Sequence, residues 1–80
     1  MKQALYFTAN WCGPCKVMKP KIQALNLPEI DFIDVDTNPS QVETLGIRNV
    51  PTIILMERGE VKQRMVGNNI NIETIKQFFN

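Results

Sequence analysis

Apolar residues cluster first in a short run, Ala4 to Thr8, rich in aromatics and bounded by polar residues, which predicts a strand buried on both faces of a sheet. Beyond it, Met18, Ile22 and Leu25 recur at i, i+4 and i+7, the stripe of a helix packed on a core, with Pro20 expected to kink that helix without ending it. Ile30 to Val35 predicts a second strand, parallel to the first, and Asp34 and Asp36 read as solvated charges at its end. A short helix follows, with Asn38 as expected cap, Pro39 at its first position and Gly46 at its stop. A left-handed Gly46 would fold Ile47 back onto Val42. Val50-Pro51-Thr52 leads into a third strand, Ile53 to Met56, and Arg58-Gly59 supplies a turn into a fourth. There Val61 and Met65 alternate with Lys62 and Arg64, as expected of an exposed edge strand. After Gly67, Asn71 caps a last helix with Ile72, Ile75 and Phe79 on one face and Glu73 in its first turn. The predicted order is βαβαββα, an α/β domain.

Length and composition narrow this further. The chain has 80 residues, 44% of them hydrophobic, which suits one small domain spanning 1–80 with a modest core. Nine Lys and Arg against eight Asp and Glu leave a net charge of +1, so no field points to nucleic acid or to a membrane surface. The apolar stretch after Lys2 is short and runs straight into a cysteine motif, which predicts neither a signal peptide nor a membrane span. A cytoplasmic, monomeric protein is the default expectation, and in a reducing compartment a cysteine pair is more often catalytic than structural.

The only two cysteines stand in Trp11-Cys12-Gly13-Pro14-Cys15. One helical turn brings positions i and i+3 to the same side, so the pair can cycle between dithiol and disulfide. At the start of a helix a sulfur faces unpaired amides and the positive end of the dipole, which favour the thiolate and make Cys12 the expected nucleophile. Pro14 suits a first helical turn, Gly13 leaves room for a substrate, and Lys16 adds positive charge. An inert disulfide is a weaker reading, because so short a loop gains little from closure. A zinc or iron–sulfur site would need ligands from a second chain, since there is no His and no other Cys.

The motif from Trp11 to Cys15 resembles the active site of the thioredoxin family. Lys16, Pro20, Asp36-Thr37-Asn38-Pro39, Gly46-Ile47-Arg48-Asn49-Val50-Pro51-Thr52, Gly59 and Gly67 extend the resemblance over nearly the whole chain. It implies a minimal thioredoxin fold, a four-stranded mixed sheet flanked by three helices, without the leading strand and helix of full-length members, as in glutaredoxins. It implies a protein-disulfide reductase in which Cys12 attacks and Cys15 resolves, with no cofactor beyond the redox-active pair. Pro51 is then expected to be cis and to lie against the cysteines, with Val50 offering backbone hydrogen bonds to an extended substrate. Trp11, Gly13, Pro14, Ile47, Val50, Pro51 and Gly67 form the expected docking surface. The expected partners are thioredoxin reductase or a similar electron donor, and disulfide-containing proteins such as ribonucleotide reductase.

The chain departs from the family beneath the motif. Tyr6 stands where thioredoxins place a buried Asp and Phe32 where they place a Lys, so Tyr6 becomes the candidate for proton transfer; Thr8 replaces a rim aromatic. Two other functions stay open. A glutaredoxin-like reductase using glutathione fits the length, although Gly13 and Gly67-Asn68-Asn69 do not match that group's motifs. A non-catalytic thioredoxin-fold subunit is the other.

Overall fold

The computed structural model describes residues 1–80, arranged as β1 (Lys2–Thr8), α1 (Gly13–Gln23), β2 (Ile30–Asp34), α2 (Pro39–Leu45), β3 (Thr52–Glu57), β4 (Glu60–Val66), a 3-10 turn (Gly67–Asn69) and α3 (Ile72–Phe79). The strands form one mixed sheet in the order β2-β1-β3-β4, with β1 parallel to β2 and antiparallel to β3. This is the four-stranded α/β arrangement with three helices that the sequence predicts.

Alternation along β1 explains why its sequence reads as continuously apolar. Ala4 and Tyr6 point into one core, with Ile22, Ile53, Leu55 and Ile75, where Met18, Leu25, Ile72 and Phe79 of the α1 and α3 regions also pack. Leu5 and Phe7 point the other way, into a core with Ile33 and Ile54 that Val42, Leu45 and Ile47 of the α2 region cover. Helices on both faces leave β1 no solvated side.

The start of α3, the end of α2 and the β3–β4 turn each have a local cause. Asn71 Oδ1 accepts from the Thr74 amide at 3.1 Å and caps α3 as predicted. Gly46 closes α2 in the left-handed conformation, φ 64°. The Ile47 amide bonds the Val42 carbonyl at 2.9 Å and the Gly46 amide that of Glu43 at 3.2 Å, the paired pattern of a Schellman stop. Arg58 and Gly59 both take positive φ, 55° and 79°, as the two central residues of a tight hairpin turn require.

Three local expectations change. Asn38 occupies the cap position of α2 but makes no side-chain cap bond; its amide nitrogen donates instead to the Asp34 carbonyl at 2.9 Å and to Thr37 Oγ1 at 3.1 Å, tying the loop back onto the end of β2. Leu25 packs on the core from beyond the end of α1 and does not extend that helix. Val61 does not share the core face with Met65. The register slips between Leu55 and Met56, which face Gln63 and Val61, so Lys62 is an extra residue in β4. That bulge sends Val61 to the opposite face, where it is 45% exposed, while Met65 opposite Ile53 stays buried.

Replacing Gly46 by Ala isolates the left-handed stop, because an added Cβ there meets nothing within 4 Å. Gly46→Ala is expected to lower unfolding free energy by about 1 kcal/mol through backbone conformation alone, read as a shifted urea midpoint at unchanged slope.

Candidate active site

The site forms where β1 hands the chain to α1. After Thr8 the backbone turns, with the Cys12 amide bonding the Ala9 carbonyl at 3.2 Å, and Cys12 becomes the N-cap of α1 in extended conformation. Its side chain does the capping: Cys12 Sγ accepts from the Cys15 amide at 3.2 Å. Cys15 then sits one turn in, with Cα atoms 5.3 Å apart, and the two sulfurs are joined in a disulfide. Cys12 is 5% exposed and Cys15 fully buried, so an incoming group meets Cys12 first. Ala9, Val35 and Val50 pack around the pair.

Val50 packs against the cysteine pair, and the Val50–Pro51 peptide is cis. Cys12 Sγ is 3.7 Å from the Val50 carbonyl oxygen. The oxidised sulfur carries no proton, so this is a contact here and becomes a donor–acceptor pair only in the thiol form. Pro51 is buried, and its carbonyl accepts from the Gly67 amide at 2.8 Å. Gly67 takes a positive φ of 57° there, which links the start of the last turn to the back of the loop.

Beside the disulfide runs a groove of about 310 Å³ lined by Trp11, Val35, Val42, Ile47 and Val50, with Arg48 and Asn49 at its polar end. Trp11, Ile47 and Val50 of the predicted docking set thus share one surface. Gly13 and Pro14 are exposed on the helix start, and a Cβ on Gly13 would project into open space. Trp11 is 69% exposed, yet its indole N–H donates to Asp36 Oδ2 at 3.0 Å. Asp36, expected only as a strand-end charge, therefore orients the exposed ring. Nothing in the chain between them announces this pairing, which spans 25 positions; the parallel β1–β2 register creates it.

Tyr6 is fully buried beneath the motif. Its hydroxyl donates to the Cys15 carbonyl at 3.0 Å, and the edge of its ring meets Phe32 at 5.6 Å between centroids. Burial pushes its pKa from 10.0 up to about 12. The phenol is therefore neutral near neutral pH, with its hydrogen on a backbone oxygen and not on a sulfur. No group of three or more His, Cys, Asp or Glu side chains lies close enough to hold a metal ion. No helix is long and apolar enough to cross a membrane.

The family model described as thioredoxin matches residues 2–80. The chain belongs to the thioredoxin family. It is 40% identical to thioredoxin of Chlamydia muridarum over 76% of this chain and 64% of that protein. A "Bifunctional thioredoxin reductase/thioredoxin" of Mycobacterium leprae is 36% identical over 76% of this chain and 14% of its own length. Among solved structures, a mutant thioredoxin from Halobacterium salinarum superposes with a TM-score of 0.82 at 32% identity, covering 95% of this chain and 69% of that one. The chain thus spans just under two thirds of the Chlamydia thioredoxin.

The Tyr6 environment gives a pH signature. Because its acidity is weakened on folding, the stabilisation is complete below about pH 10 and is lost as pH rises toward 12, by about 2–3 kcal/mol in all. Tyr6→Phe removes this component along with the hydrogen bond to Cys15. It is expected to be about 1 kcal/mol less stable near neutral pH and to close or reverse that gap above pH 10, which paired urea titrations would read.

Proposed function

We propose that this protein is a protein-disulfide reductase and dithiol electron carrier. The observation that carries the reading is Cys12 Sγ at the cap of α1, accepting the Cys15 amide, with the second sulfur buried directly behind it. A cap amide and the helix dipole stabilise negative charge on sulfur, so reduced Cys12 supplies a thiolate where a partner can reach it.

The exchange then proceeds in two balanced steps. The Cys12 thiolate attacks one sulfur of a target disulfide, forming an interchain S–S bond and releasing the other target sulfur as a thiolate. Cys15 loses its proton and attacks Cys12 Sγ; the Cys12–Cys15 bond forms, the mixed disulfide breaks and the second target sulfur leaves. Two electrons pass to the target, which takes up two protons. Tyr6 has no part as a base near neutral pH, so the released target thiolate takes the Cys15 proton, directly or through water, and the second target proton comes from solvent, where Cys12 lost its own. Tyr6 holds the Cys15 backbone instead, and this is the role we assign it.

The groove beside Cys12 suits an extended, partly apolar peptide segment lying over Trp11, Ile47 and Val50; Gly13, Pro14, Pro51 and Gly67 complete the docking surface we propose. The electron donor we propose is thioredoxin reductase, a pairing suggested by the Mycobacterium leprae relative whose name joins the two. Targets are disulfide-bearing proteins, with ribonucleotide reductase as one candidate class, and the setting is the cytoplasm, with the protein acting as a monomer. The redox couple is the cysteine pair itself, without a metal or organic cofactor.

The test is NADPH consumption during reduction of a protein disulfide, with thioredoxin reductase in one arm and glutathione plus glutathione reductase in the other. Turnover in the first arm alone is expected. Turnover in the glutathione arm alone would replace this reading with a glutaredoxin-like one, and activity in neither would leave a binding subunit. Cys12→Ser is expected to abolish turnover by more than about a hundredfold. Cys15→Ser should instead accumulate a mixed disulfide with the target, visible on a non-reducing gel.

A further inference from the structure

Arg64 lies on β4 opposite Ile54, on the sheet face that α2 covers, at the open edge of the sheet. Its guanidinium crosses to the end of that helix: Nη2 donates to the Leu45 carbonyl at 2.6 Å and Nη1 to the Gly46 carbonyl at 3.4 Å. The last carbonyls of a helix lack intrahelical partners and form the negative end of its dipole. No basic residue of α2 stands in its own last turn. A side chain from a distant strand supplies the missing donor and charge together.

The segment that begins at this clamp is the wall of the active-site groove. Ile47, Arg48, Asn49 and Val50 line it, and the Val50 carbonyl lies 3.7 Å from Cys12 Sγ. The far end of the segment is tied by Thr52 Oγ1, which donates to the Asn49 carbonyl at 2.6 Å, and by the Gly67 amide on the Pro51 carbonyl. Both ends are therefore fixed to the β3–β4 hairpin, one of them through a single side chain.

We infer that Arg64 is a positioning residue for protein substrates: by holding the Leu45 and Gly46 carbonyls it sets where Ile47 and Arg48 stand in the groove wall, while Val50 is held from the other end. The inference rests on the oxidoreductase reading above. The sulfurs themselves sit on α1, which Arg64 does not touch, so the effect falls on docking and not on sulfur chemistry. Two carbonyls bound by one planar fork also make Lys a partial substitute, able to supply the charge but not both bonds in the same geometry.

Pre-reduced protein is mixed with increasing insulin, whose disulfides lie in a polypeptide, and separately with dithiobis(nitrobenzoate), a small disulfide that does not fill the groove. Arg64→Ala is expected to weaken half-saturation by insulin about three- to tenfold at an unchanged limiting rate, with the small disulfide reduced as by wild type. Arg64→Lys should recover part of the loss. Combined with Ile47→Ala, Arg64→Ala should add less than its effect alone, because both act through the same wall. Unchanged half-saturation in Arg64→Ala, equal losses on both substrates, or full additivity with Ile47→Ala would each overturn the inference. A wild-type protein that reduces neither disulfide would instead overturn the oxidoreductase reading itself, a distinct result.

Discussion

A helix that begins inside a folded domain must satisfy its first amides, and α1 does so with sulfur. The Cys15 amide points at Cys12 Sγ because Cys12 is held extended by the Ala9 turn at the end of β1. That single contact ties the strand's end, the helix's start and the redox pair into one arrangement. Moving β1 along its neighbours would move the cap and with it the sulfur. The antiparallel pairing to β3 brings Thr52, and so the Val50–Pro51 bend, opposite Phe7 and next to the same sulfurs. The site is thus a product of register in the two central strands.

Energetics place the same strands at the centre. β1 has Ala4 and Tyr6 in one core and Leu5 and Phe7 in the other, and β3 divides Ile53 and Leu55 from Ile54 in the same way. A shift by one residue would exchange the two sets and set large side chains against the wrong helices. Tyr6 shows how fully the interior is committed. Where a carboxylate would need solvation or a counter-charge, its phenol fills the space and sends its one hydrogen to a backbone carbonyl.

Much of this was legible in the sequence because it follows from local physics. The Cys12–Cys15 spacing, Gly46 as a left-handed stop, Asn71 as a cap and the apolar runs of β1 and β3 each act within a few residues. The misread features depend on long-range placement or on competition. Val61 followed the alternation rule, but the bulge at Lys62 reversed its face, and a bulge leaves little trace in a short charged strand. Asn38 had the right chemistry for a cap, yet the Asp34 carbonyl offered its amide another partner. Asp36 reached Trp11 and Arg64 reached Leu45 only once strands and helices were packed together.

The bulge at Lys62 has a mechanical consequence. Inboard of it, Thr52 to Leu55 pair residue for residue with Val66 to Gln63, and this stretch leads directly into Pro51 and Gly67 behind the sulfurs. Outboard of it β4 has no buried side chain, and only β3, through Met56 and Glu57 against Gln3 and Lys2, and the Arg58 amide on the Met1 carbonyl tie the hairpin to the sheet. A change in length or twist at the tip is absorbed where the ladder already holds one residue too many. The hairpin is therefore two segments in series: one paired residue for residue that carries the active-site loop, and one beyond the bulge whose β4 strand buries nothing.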